Sequence, residues 1–153
     1  MIGTLLLQFV VAVFATLAFG IVFQAPVKQL LLCGITGAIG WIVYFVMTVF
    51  FETGVVPACL VATIVLTLFA RVLAVRREHP VTVYLLTGIF PLVPGAGIYY
   101  TAYYLISGDK AMSGAKGLET FEVAAAIVFG IIFGSAIPQV VFKKLFSKRK
   151  PQA

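Results

Sequence analysis

Residues 2–23, 30–51, 55–75, 81–106 and 121–142 are runs of apolar residues, and the short stretches between them hold most of the charge. A helix of roughly 20 apolar residues matches a hydrocarbon core of about 30 Å. In that solvent every backbone N–H and C=O must be satisfied within the protein, and a helix does this inside a single segment. The expectation is therefore an all-α polytopic membrane protein of about five transmembrane helices, forming one domain over residues 1–153. Composition excludes the soluble alternative: only 10% of residues are charged, against about 25% in an ordinary soluble domain. The mean hydropathy is +1.14. The first run is too long for a signal-peptide core and no Lys or Arg precedes it, so it is read as a retained helix.

The net charge of +6 does not point to nucleic acid, because its distribution is that of a membrane topology. If all five runs cross, Lys28, Arg71, Arg76, Arg77 and the five cations of the tail 143–153 share one side. Lys110 and Lys116 lie on the other. That nine-to-two split places the N-terminus outside and the C-terminus in the cytoplasm. If the fourth run does not cross, the bias disappears. Cys33 and Cys59 fall near opposite faces in this topology and are read as small apolar packing residues. The single histidine, His79, and the absence of Cys-x-x-Cys leave no metal-ligand spacing.

The fourth run is interrupted by Pro91-Leu-Val-Pro94-Gly95-Ala-Gly97. Two prolines three apart remove two backbone donors and clash with the preceding turn, while Gly95 and Gly97 tolerate irregular dihedrals. One helix should end near Phe90 and another begin near Gly97. Two readings stand side by side: a proline kink in a packing helix, or a broken helix at a transport site. In the second, the N-terminus of the new half-helix offers unpaired N–H groups and a partial positive charge to a carboxylate. Carbonyls released near Thr87 and Gly88 suit an ammonium group. The expected substrate-binding set is Pro91, Pro94, Gly95, Gly97, Thr87, Tyr99 and Tyr100. Tyr103 and Tyr104 fit an interfacial aromatic belt, and Tyr99 and Tyr100 fit either role.

Arg71 is the ionisable residue set deepest in an apolar run. It either snorkels to the cytoplasmic interface or lines the inner mouth of an anion path. His79, Glu52 and Glu122 are read as interface residues, with proton coupling as the alternative. Ala126, Gly130, Gly134 and Pro138 recur every four residues on the fifth run, and Gly34, Gly37, Ala38 and Gly40 thin one side of the second. Such small-residue stripes let helices approach closely, within the chain or against a partner. No catalytic constellation, phosphate loop or cofactor fingerprint is present in the sequence. The expectation is a non-enzyme without cofactor.

The stretch Pro91 to Gly95 resembles the signature of the threonine/serine exporter family. So do its surroundings: the cationic loop ending His79-Pro80, then Gly97-Ile-Tyr-Tyr-Thr101 and Ser107-Gly-Asp109. Nearly the whole chain is similar to the smaller C-terminal half of that exporter, a separate subunit in many members. The resemblance implies an exporter of small carboxylate-bearing metabolites, either amino acids such as threonine and serine or a dicarboxylate such as succinate. It implies a larger membrane partner subunit and the inner (cytoplasmic) membrane of a bacterium. The alternative is a non-transporting membrane scaffold or assembly subunit.

Overall fold

The computed structural model describes residues 2–138 and 140. Six helices follow in order: α1 (Ile2–Val22), α2 (Leu30–Val49), α3 (Val55–Arg77), α4 (Val81–Ile89), α5 (Gly95–Ile106) and α6 (Lys110–Ala136). Short 3₁₀ turns at Val27–Gln29 and Phe90–Leu92 precede α2 and follow α4. Four helices are long and apolar enough to cross a membrane on their own, and α4 with α5 forms a fifth span bent by 50°. Each arm of a dozen residues is about 18 Å long, so at that bend the two reach about 33 Å, the depth of a hydrocarbon core.

Helix packing shows independently that the bent pair crosses. Gly130 of α6 lies against Thr63 of α3, and Gly134 lies against Thr67. Advancing four residues on one helix advances four on the other, so α3 and α6 are parallel. A chain that leaves α3 at one face and enters α6 at the opposite face must traverse the membrane between them. A re-entrant α4–α5 would have made α3 and α6 antiparallel.

The core is built from small residues, as expected where close contact rather than hydrophobic force holds helices together. α2 occupies the middle, packed on α1, α3 and α4, while α3 also packs on α6, and α6 on α5. Gly37 of α2 fits the Thr16 side chain of α1, and Gly40 receives Leu66 of α3, where an added Cβ would lie 2.6 Å from Leu66 Cδ1. The α6 stripe of Ala126, Gly130 and Gly134 faces α3, so its contact is made within the chain. Cys59 belongs to the core cluster with Leu66, Leu92 and Val123. Cys33 belongs to a second cluster around Tyr84, whose hydroxyl donates to Gln29 Oε1 at 2.8 Å.

The last helix differs from the expected span 121–142 at both ends. It starts at Lys110 because Asp109 caps it, its Oδ1 accepting from Met112 N at 3.0 Å. Gly114 and Gly117 each cost roughly 1 kcal/mol in a helix, but packing on α5 overrides that preference. Gly117 fits against Thr101, and Ser113 Oγ donates to Thr101 O at 2.9 Å. The helix stops at Ala136 because Pro138 holds Ile137 in the extended region, φ −68° and ψ 124°. Residues 139 and 141–153, with the expected cytoplasmic tail, lie outside the described residues.

Candidate functional site

The break in the fourth span forms one wall of a cleft of about 290 Å³. Pro91 to Gly97 lie along it, α2 contributes Trp41 and Tyr44, α3 contributes Val55 and Cys59, and α6 contributes Glu119, Thr120 and Val123. Trp41 is held in place by donating Nε1–H to Gln8 Oε1 of α1 at 2.8 Å. The cleft occupies the half of the bundle nearest the α2–α3 loop and the start of α6.

Local chemistry explains the break. Pro91 and Pro94 cannot donate to the turn before them. The chain therefore tightens into a 3₁₀ turn, Val93 N donating to Phe90 O at 3.1 Å. Pro94 then caps α5, where Gly95 N donates to Val93 O at 2.8 Å and Ile98 N to Pro94 O at 3.1 Å. The intervening N–H groups of Ala96 and Gly97 have no acceptor among the described residues. The start of a helix thus borders the cleft with unsatisfied donors and the positive end of its dipole.

The two glycines serve different purposes, and neither has positive φ. A side chain at Gly95 would meet nothing within 4 Å, whereas one at Gly97 would run into the Thr120 hydroxyl. Gly97 is required by the approach of α5 to α6; Gly95 leaves space open. Thr120 donates its own hydroxyl to Lys116 O at 2.6 Å, which orients it at that contact.

Of the expected site residues, Pro91, Pro94, Gly95 and Gly97 line the cleft and Thr87, Tyr99 and Tyr100 do not. Thr87 lies in the last turn of α4 beside the break but is buried, donating to Val83 O at 2.9 Å. Tyr99 and Tyr100 are 63% and 47% exposed on the outside of α5. There they stack on Tyr103 and Tyr104 one turn on, with ring centroids 6.3 Å apart in each pair. Arg71 is 5% exposed and donates Nη1–H to Gly134 O at 2.8 Å and Nη2–H to Ile137 O at the end of α6. The Gly134 carbonyl needs such a donor because its helical partner would be the nitrogen of Pro138, which has no hydrogen.

Trp41, Tyr44, Glu119 and Thr120 were not singled out from the sequence as site residues, and Cys59 was read there only as a packing residue. A signal for Glu119 and Thr120 exists in hindsight: Asp109 at an N-cap and the Lys116–Glu119 ion pair at i, i+3, 2.8 Å long, mark helix rather than connector. Trp41 and Tyr44 share a helix face at i, i+3, and their rings stand 5.4 Å apart.

A family model described as Threonine/Serine exporter, ThrE, matches residues 8–137. No curated protein matches the chain, and no solved structure does.

Proposed function

Because the chain belongs to the threonine/serine exporter family, whose role is membrane transport, we propose that it moves a small amino acid, bound as a zwitterion in the cleft at the helix break. The observation that carries this reading is the pairing of charges around one cleft. The N–H groups of Ala96 and Gly97 and the α5 dipole suit the α-carboxylate. The Glu119 carboxylate on the facing helix, paired with Lys116 at 2.8 Å in this structure, suits the α-ammonium group when it exchanges that partner. Trp41 and Tyr44 supply an apolar, aromatic wall for a short side chain. A dicarboxylate such as succinate would set a second negative charge toward Glu119, so the amino acid is favoured.

In this proposal the protein is not an enzyme and works with a larger membrane subunit of the same family in the inner membrane of a bacterium. The N-terminus faces outside and the C-terminus faces the cytoplasm. The partner covers α5, which buries none of its own residues and packs chiefly on α6.

The test is efflux of labelled L-threonine, L-serine, L-threoninamide and succinate from cells with and without the protein and its larger partner. Efflux of the two amino acids, loss with the amide, and weakened efflux of the amino acids alone in Glu119→Gln are expected. Succinate efflux without amino-acid efflux would overturn the zwitterion assignment. Unchanged efflux of every compound on deletion would leave the scaffold as the role.

A further inference from the structure

We infer that the seam between α3 and α6 is the inner half of the substrate passage, closed in this structure by Arg71 and opened when that guanidinium exchanges helix carbonyls for a substrate carboxylate. The inference rests on the transport reading and extends it to residues outside the cleft.

Cys59 lines the cleft. Thr63, Thr67 and Arg71 follow it at four-residue steps, so one face of α3 carries them inward at about 6 Å per step. Thr63 and Thr67 are completely buried against Gly130 and Gly134. Their hydroxyls have no hydrogen-bond partner among the described residues. Six other helical threonines behave differently: Thr16, Thr36, Thr48, Thr87, Thr101 and Thr120 each donate to the carbonyl four residues back. A buried hydroxyl left without a partner is destabilising. Two of them on one face, in mid-membrane, have a physical reason if another state of the protein supplies partners.

The opposite wall makes such a state accessible. Gly130 and Gly134 put no side chains into the seam, so a small separation of α3 from α6 exposes both hydroxyls together. Arg71 holds the inner end shut through the carbonyls of Gly134 and Ile137. Those acceptors are neutral, while a carboxylate accepts two parallel, charge-assisted bonds from the same fork and binds it more strongly. A small carboxylate therefore favours the open seam over the closed one, which is what a ligand must do to shift a conformational equilibrium. Cleft and seam are then the two ends of one path, one open while the other is shut.

The experiment uses the full chain with its partner in membrane vesicles of both orientations. Cys33→Ala and Cys59→Ala remove the native thiols, and Thr67→Cys supplies one in the seam. The probes are 2-sulfonatoethyl and 2-(trimethylammonio)ethyl methanethiosulfonate. From the side bearing the C-terminal end of α3, and relative to each probe's rate with a free thiol, the anionic probe should be favoured about tenfold over the cationic one at Thr67→Cys, because one buried cation concentrates anions there. Arg71→Met should abolish the preference for the anion, and Arg71→Lys, which keeps the charge, should retain it.

Ala62→Cys, fully buried on α3 outside the threonine face, is the control for general loosening. Labelling of Thr67→Cys no faster than of Ala62→Cys would overturn the inference. So would an anion preference that survives Arg71→Met. Normal threonine efflux with an unreactive Thr67→Cys would reject the seam and leave the exporter reading intact. Labelling with the expected charge preference, but no efflux of any amino acid, would keep the seam and reject the zwitterion assignment.

Discussion

The contrast between Gly95 and Gly97 allows binding to be separated from packing two residues apart. At Gly97 an added methyl meets the Thr120 hydroxyl. Overpacking of this kind costs about 1–3 kcal/mol, and turning Thr120 aside breaks its 2.6 Å bond to Lys116 O, worth about 1 kcal/mol. Replacing a helical glycine by alanine returns up to about 1 kcal/mol. The net expectation for Gly97→Ala is a loss of about 1–3 kcal/mol in stability. At Gly95 nothing lies within 4 Å, so Gly95→Val should leave stability unchanged while filling the space in front of the Ala96 and Gly97 N–H groups. Losing a charge-assisted hydrogen bond costs about 1.5–3 kcal/mol, a roughly ten- to hundredfold weaker apparent affinity. The assay pairs thermal unfolding in detergent with threonine efflux per molecule of inserted protein. Gly97→Ala should unfold earlier; Gly95→Val should unfold with the parent and export poorly. Normal export by Gly95→Val would refute the carboxylate site at the break, and a Gly97→Ala protein as stable as the parent would refute the α5–α6 contact.

Three further outcomes are expected. Cysteines introduced at Thr53 and Gly114 should react with an impermeant reagent on intact cells while one at His79 should not; the reverse pattern would invert the proposed topology. Gly134→Leu should separate α3 from α6, because even a Cβ there lies 2.6 Å from Thr67 Cβ, and should lower the yield of folded protein whether or not a partner subunit is co-produced. A yield that recovers fully without the partner would place the stripe elsewhere. Asp109→Ala should cost about 1 kcal/mol through loss of the α6 N-cap, read as earlier thermal unfolding with threonine efflux retained.

The sequence alone determined the class of fold and the place of its irregularity. Apolar runs longer than a bilayer is thick admit few alternatives, and proline chemistry breaks a helix wherever it falls, so the helices and the Pro91–Gly97 interruption were legible from residue type. Family resemblance was legible for the same reason, since it rests on those prolines and glycines. Tertiary structure decided what depends on which faces meet. Tyr99 and Tyr100 sit one turn past the break, yet they point away from the cleft, because α5 turns Gly97 and Thr101 toward α6. Glu119 reaches the cleft only because Asp109 starts α6 early, and the helix start was masked by the polar composition of residues 110–120. Arg71 showed as a charge in an apolar run, but its role was set by Pro138, sixty-seven residues on, which orphans the Gly134 carbonyl that Arg71 then fills. Local sequence fixes where backbone groups go unsatisfied; only packing decides which distant side chain satisfies them.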